Sequence, residues 1–396
     1  MSATVPHIAH IPMPLALSGS SLTNVIRDLS REHAAAGGRT SVVMSHNRSG
    51  DVADADVVRV DYTRYCSREY FTRREYGVDA LAGFAGLERP HGGRLFIPAI
   101  EAVAASGADW LFLHEGHYAA AALPRLRRSA PSARIALHVH NNLSRTYSRH
   151  ELRRLVRACD VVIAVSGHMA RHVRRRLGEE RTPVATLLNG VDQSLFTPRQ
   201  RPPMSGRPVR LLYAGQVAPH KGVHVLLEAL ALCPALDADV RVVGSAQHGN
   251  LQHLTDYEQQ LRALASRLSV SIDFRPFASR EELADEFGWA DVVVVPTLTE
   301  EPFGLVLVEA MATGAAVVNS GRGGLREAAS DAAEFFDGTA ADLARVLNDL
   351  TPARVASLGR ASLARASQLT WRRQYMRLRE LLREVERRTD GETTTY

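Results

Sequence analysis

Three observations predict an α/β chain of two domains, each built on a parallel sheet. Short Val/Ile/Leu runs alternate with longer amphipathic stretches, the pattern of repeated strand–helix units. At 396 residues the chain is too long for one ordinary core and suits two domains of about 200 residues each. Near its middle, residues 197–208 (Thr-Pro-Arg-Gln-Arg-Pro-Pro-Met-Ser-Gly-Arg-Pro) are rich in proline and polar side chains and read as a linker.

The first domain, 1–196, opens with a short strand. Pro14 to Ser21 then leads into a helix containing Val25, Leu29 and His33, and Ser18-Gly19-Ser20 reads there as a capping turn. Strands follow near 39–44, 57–60, 110–113, 134–139 and 161–165, with helices between them. Between two of these strands, residues 61–94 carry Tyr62, Tyr65, Tyr70, Phe71 and Tyr76 among several arginines. That segment is either a ligand-binding surface of aromatic faces and forked donors or a helical insert with a small core of its own.

Two histidine clusters close strands of this domain. Leu113-His114-Glu115-Gly116-His117 ends one and Leu137-His138-Val139-His140-Asn141-Asn142 ends another. Open α/β sheets bind ligands at the carboxyl ends of their strands, so both clusters are candidates to face one. Residues two apart share a strand face, which puts His138 with His140. Paired histidines also suggest a metal, yet no pair here has a partner fixed by spacing, and the expectation is no metal site.

In the second domain, 209–370, strands are expected near 209–214, 239–243, 271–274, 292–295 and 315–318. An amphipathic helix is predicted over 371–388, followed by a disordered tail at 389–396.

The strongest chemical signal lies here. Lys221 is the one lysine among 48 basic side chains, in Leu-Tyr-Ala-Gly-Gln-Val-Ala-Pro-His-Lys-Gly at 212–222. An ammonium is a compact point charge that fits between phosphate oxygens, where a guanidinium prefers bidentate partners. Lys221 is therefore read as a phosphate ligand. The companion is the run Val292 to Val295, closed by Pro296 and followed by Glu300-Glu301-Pro302-Phe303-Gly304 and a helix from Leu305 to about Gly314. A helix starting just after a strand aims free N–H groups and its positive dipole end beyond the sheet edge, which suits a diphosphate. Glu301 precedes that helix and Glu309 lies two turns into it, roughly 10 Å apart along the axis. They are too distant for one acid/base pair. They suit the two ends of an elongated ligand, where a carboxylate accepts from two neighbouring hydroxyls.

These residues resemble glycosyltransferase family 4, the retaining sugar-nucleotide enzymes of GT-B fold. Glu301-Pro302-Phe303-Gly304-Leu305-Val306-Leu307-Val308-Glu309-Ala310-Met311-Ala312-Thr313-Gly314 fits that family's Glu-x7-Glu element. The likeness continues through Asn189-Gly190-Val191-Asp192, the Gly215 to Gly222 loop, Val243-Gly244 and Gly323-Gly324-Leu325-Arg326-Glu327. It is strong over about 185–330 and weaker before that.

The resemblance implies two Rossmann-like domains facing across a cleft, with the helix at 371–388 returning to the first. It implies that Glu301 contacts the donor sugar and Glu309 the nucleotide ribose. Phe303, Gly304 and Leu305 lie at the diphosphate, Lys221 neutralises it, and Gly244 and Gly19 belong to the donor site. By position His140 matches the histidine directed at the donor sugar, ahead of His138 and His114. His114, Tyr70 and Tyr76 are the acceptor candidates. One departure stands out: the family usually has arginine where this chain has Gln216, which donates hydrogen bonds without a charge.

The implied activity is retaining transfer of a hexose or amino-hexose from a nucleoside diphosphate sugar to a small-molecule or glycan hydroxyl, with no metal and no cofactor. A sugar-nucleotide epimerase, a phosphorylase, and a binding protein that has lost catalysis are the alternatives. Asp54-Ala55-Asp56 and Asp237-Ala238-Asp239 mimic the metal-binding Asp-x-Asp of another architecture but do not follow the expected strand.

Net charge +5 leaves peripheral membrane contact open. The densest basic run, 168–176, lacks interleaved aromatics and argues against nucleic acid. No apolar run reaches membrane-span length and the start is not leader-like, so a cytoplasmic protein is expected. Cys66, Cys159 and Cys233 show neither metal nor disulfide spacing and read as buried thiols. The arginine- and alanine-rich composition suggests a GC-rich bacterial genome, where such enzymes build surface glycans and decorate antibiotics. Oligomeric state is not written in the sequence.

Overall fold

The computed structural model describes residues 5–12, 21–46, 52–62, 72–115, 118–246 and 254–392. The chain forms two compact units, Met1–Asn189 with Trp371–Tyr396, and Gly190–Thr370.

In the first unit, the strands among the described residues are β1 Ile8–Ile11, β2 Thr40–Ser45, β3 Asp56–Val60, β4 Trp110–Glu115, β5 Arg134–Val139, β6 Val161–Ala164 and β7 Val184–Thr186. They form one sheet in the order β3-β2-β1-β4-β5-β6-β7, and every pairing is parallel. β4 is buried along its whole length and β5 along all but its first residue, as befits central strands covered on both faces, which is why Trp110 to Leu113 and Ile135 to Leu137 run apolar without alternation. The helix Trp371–Glu392 belongs to this unit and packs on the helix Ser21–Ala35. Tyr375, Leu378, Leu382 and Val385 form its buried stripe at helical spacing. Tyr375 Oη lies 2.8 Å from His33 Nδ1, and Trp110 Nε1 donates to Glu386 at 2.9 Å.

In the second unit the strands are β8 Val209–Ala214, β9 Ala238–Val243, β10 Ser271–Arg275, β11 Val292–Val295, β12 Ala316–Asn319 and β13 Glu334–Phe335, in the order β10-β9-β8-β11-β12-β13, again parallel throughout. Each sheet thus contains the doubly wound order of a dinucleotide-binding fold, reversing direction between β1 and β4 and between β8 and β11. Those two reversals are where ligands settle in such sheets, at the strands' carboxyl ends.

Three expectations are revised. Residues 197–208 are no free linker, because the units divide at Asn189/Gly190 and the stretch is locked into the second. Arg199 N–H donates to Thr313 O at 3.0 Å, Arg201 donates to the carbonyls of Thr313 (2.9 Å) and Phe287 (2.8 Å), and Arg207 grips Asp291 with two bonds of 2.7 and 2.8 Å. Arginine forks give a proline-rich segment the anchors its composition hides. The last helix runs to Glu392 rather than ending at 388, with Thr389 Oγ1 bonded back to Val385 O at 2.6 Å. β7 and β13, which no apolar run announces, are short edge strands of three and two residues.

The insert at 61–94 contributes the helix Arg73–Phe84, started by a reciprocal Thr72/Glu75 capping box. Asp79, buried on it, accepts amide hydrogens from His91 (2.9 Å) and Gly92 (2.8 Å) and ties this helix to the helix Pro90–Leu95 at the insert's end. Cys159 and Cys233 are buried free thiols, while Cys66 lies outside the described residues.

Candidate functional site

The reversal point of the second sheet brings together the two loops singled out by their chemistry. β8 runs out at Ala214, and the loop passes through Gly215 and Gln216 to a turn at Pro219–Lys221. β11 runs out at Val295, and its loop leads through Glu301 to the helix Leu305–Ala312. Leu298 N–H donates to His220 O at 2.9 Å and ties one loop to the other. Across that tie Lys221 Nζ lies 2.7 Å from Glu301 Oε2, a part-exposed ion pair. Glu301 is held from behind by its backbone, since Gly324 N–H donates to its carbonyl at 2.6 Å and it bridges to Gly323.

Two glycines set the approach. At Gly304 φ is +93°, a backbone conformation that strains other residues, and a Cβ there would also lie 2.4 Å from Leu325 Cδ2, so the start of the helix favours glycine. At Gly244, just past β9, a Cβ would meet Gly215 O at 2.0 Å. The ends of β8 and β9 therefore close on each other, and Gln216 Nε2 donates to Ala246 O at 3.3 Å across them. Gln216 itself is exposed, Phe303 is buried, and Leu305 and Gly304 are half-buried.

Further along the helix Glu309 is buried, at 6% exposed. Its carboxylate lies 3.8 Å from Arg280, whose guanidinium is also 3.9 Å from Asp192 and 5.5 Å over the Phe196 ring. Arg280 begins the helix Arg280–Trp289, whose start is fixed by a Ser279/Glu282 capping box. Sequence reasoning missed Arg280. It stands in no motif, and only its partner Asp192, within the Asn-Gly-Val-Asp run, carried a signal. Glu301 and Glu309 thus have separate cationic partners.

The reversal point of the first sheet is occupied by histidines. His10 on β1, His114 on β4 and His138 on β5 are buried, and His140 just beyond β5 is half-buried. Register sets His114 beside His138, and the ring centroids of His138 and His140 are 4.2 Å apart. His10 Nδ1 lies 2.8 Å from His114 Nε2, and His114 Nδ1 lies 3.0 Å from His140 Nε2. Burial pushes the basicity of all four down, to about 3 for His10 and about 3 for His138, with further lowering by their like-charged neighbours at His10, His114 and His140. All four rings are neutral near pH 7. His114 is wholly enclosed with both nitrogens engaged, so it supports His140 rather than presenting itself to an acceptor. Among the acceptor candidates Tyr76 is 48% exposed, edge-on to Tyr118, whereas Tyr70 lies outside the described residues, as does Gly19 of the donor set. His10 was missed because a single histidine in Ile-Ala-His-Ile reads as a core residue.

Two doubly wound units, each with polar groups gathered at its reversal point, define a GT-B protein. Residues 22–195 match the model for Glycosyltransferase Family 4, and residues 197–353 match that for Glycosyl transferases group 1. The chain belongs to glycosyltransferase family 4. Over 237 residues it is 34% identical to D-inositol 3-phosphate glycosyltransferase of Streptomyces avermitilis, covering 55% of this chain and 50% of that protein. It is 27% identical over 219 residues to Spore coat protein SA of Bacillus subtilis, covering 51% and 58%. The chain spans about half the length of the curated relatives it matches. Its fold is shared with sucrose-phosphate synthase of Thermosynechococcus elongatus, at TM-score 0.75 and 21% identity over 96% of this chain and 99% of the other. It is also shared with Anabaena HepE in complex with UDP and glucose, at TM-score 0.71 and 20% identity over 95% and 99%. No described helix is long and apolar enough to cross a membrane.

Proposed function

We propose that the chain is a metal-independent, retaining glycosyltransferase that moves a hexose from a nucleoside diphosphate sugar to an acceptor hydroxyl. The observation that carries this reading is the Lys221–Glu301 pair, 2.7 Å apart beside the helix start at Phe303 and Gly304, in a family 4 chain. A diphosphate placed there meets the ammonium and the positive end of the helix, leaving Glu301 to accept from sugar hydroxyls. Glu309 and Arg280 lie further along, at the ribose end. In the transfer step the acceptor oxygen bonds to the anomeric carbon as the bond from that carbon to the diphosphate oxygen breaks. The acceptor's proton passes to the departing diphosphate on the same face, so configuration is kept and no further reactant is needed. Lys221, Gln216 and the helix start hold the developing negative charge. His140, neutral at working pH, supplies a hydrogen bond to the donor sugar.

The test is thermal stability with UDP, GDP, ADP and dTDP, each with and without chelator, beginning with UDP because HepE holds it. A ligand at a hundred times its dissociation constant stabilises by about 2.7 kcal/mol. One nucleotide should raise the midpoint regardless of chelator; no shift with any of the four overturns the donor site. A second reading, a sugar-nucleotide-binding protein without turnover, is favoured by the uncharged Gln216. It predicts the same shift but no nucleotide release from the matching sugar nucleotide across a broad acceptor set. Glu301→Gln should impair transfer with nucleotide binding retained.

A further inference from the structure

The histidines at the reversal point of the first sheet do more than one polar contact to a sugar requires. Near neutral pH a buried imidazole carries one N–H donor and one acceptor nitrogen, and leaving either without a partner forfeits the hydrogen bond that water would have made. Both ring nitrogens of His138 are buried without a hydrogen-bond partner among the described residues. A wholly buried, doubly unsatisfied ring in the middle of a sheet calls for an explanation, and its neighbours offer one. One nitrogen each of His114, His138 and His140 lies within 4.8 Å of the others.

We infer that His114, His138 and His140 form a binding site for a transition-metal dication of the zinc, cobalt or nickel type. Three neutral imidazoles with no carboxylate among them suit such borderline ions and do not suit magnesium or calcium, which take oxygen ligands. A zinc–nitrogen bond of 2.0–2.1 Å in a tetrahedron sets its nitrogens about 3.3 Å apart. His114 Nδ1 and His140 Nε2 are at 3.0 Å, close to that edge, and His138 closes on them by ring rotation. The protons balance without release. His114 binds the metal through Nδ1 and keeps its proton on Nε2, donated to His10 Nδ1 across the existing 2.8 Å contact. His140 binds through Nε2 with its proton on Nδ1, and His138 keeps one proton on whichever nitrogen faces away. His10 is thus the outer partner that fixes the tautomer of a ligand, the usual role behind a metal-bound histidine. His140, alone among the three in being half-buried, marks the open side where a water takes the fourth position. The site stands independently of the transferase reading. If that reading also holds, the metal occupies His140 and inhibits transfer.

The experiment is titration of the chelator-stripped, desalted full chain with cobalt(II) followed by visible absorption, and with zinc(II) by calorimetry. The expected result is one saturable equivalent with the absorption of tetrahedral cobalt and a raised melting midpoint with zinc. His138→Phe, which keeps the ring's packing against Phe112, and His140→Ala, at the open edge, should each weaken that equivalent at least a hundredfold. His10→Phe should weaken it about tenfold to a hundredfold. The wild-type titration decides whether or not every variant folds. The absence of a saturable equivalent overturns the site, as does binding left undiminished in both folded ligand variants, since the chain has 16 histidines that can hold metal elsewhere.

Discussion

At the reversal point of the second sheet, opposite charges meet in the open, with Lys221 and Glu301 both part-exposed and 2.7 Å apart. At the same point of the first sheet, four histidines are packed together and held neutral by burial. The two sheets share strand order and direction, so topology does not account for the difference. What differs is solvent. The ammonium proposed to meet phosphate stands where solvent reaches it. Groups that serve as neutral donors, or as ligands to a metal, gain from exclusion of water, which removes their protonated form. The fold supplies one kind of position, and local burial decides which chemistry it supports.

The largest effect should come from removing charge at the solvated end. Lys221→Ala should lower turnover by about 10² or more, the scale of losing one preorganised contact to developing negative charge. Lys221→Arg should not restore it, because a planar fork does not replace a point charge between phosphate oxygens. Near-wild-type turnover in Lys221→Ala would remove the basis for contrasting the two ends.

Next in size is Arg280→Ala, which leaves the buried carboxylates of Glu309 and Asp192 without their shared cation. Chemical denaturation should show a loss of about 2 kcal/mol, the cost of stranding buried charge. Glu309→Ala should leave stability nearer wild type and weaken nucleotide affinity. If Arg280→Ala weakened the nucleotide without any loss of stability, Arg280 would be a ligand contact rather than a brace.

The buried end has a pH signature of its own. An unfolded histidine titrates near 6.5, whereas His10 and His138 are held down to about 3. The unfolded chain therefore binds more protons between those values, and the stability due to neutral rings is present above pH 6.5 and lost as pH falls toward 3. Denaturation midpoints of wild type should fall over that window, and those of His138→Phe should fall less. Parallel curves would mean that the ring is not held neutral by burial.

How far these sites could be read from the chain follows the same division. Strands 134–139, 209–214 and 292–295 stand where they were expected, since apolar runs between polar or proline boundaries leave little choice of period. Lys221, Glu301 and Glu309 were legible because each sits at a fixed distance from a strand end, so local sequence fixes its place. Arg280 and His10 were not. Their partners are 29 and 104 residues away, at Glu309 and His114, and the pairing depends on which strands the sheet sets side by side. Residues 197–208 misled for a related reason. Proline content describes the backbone, while Arg201 and Arg207 find their acceptors at Thr313 and Asp291, which only the folded unit supplies.

The smallest effect tests Gln216, where the family resemblance implies an arginine. Gln216 is exposed, and its amide spends a hydrogen bond on Ala246 O at 3.3 Å, a long and weak contact that a replacement can give up. An arginine there would add a charge-assisted bond to a diphosphate bound beside Lys221, stronger than the neutral amide's by roughly 1 kcal/mol. Gln216→Arg should therefore tighten nucleoside diphosphate binding about fivefold in calorimetry, an effect that shrinks with added salt because the position is solvated. Turnover should rise if loss of the leaving diphosphate limits the reaction, and stay level if product release does. Unchanged affinity at low salt would place the diphosphate away from Gln216 and leave Lys221 with the helix start as its whole cradle.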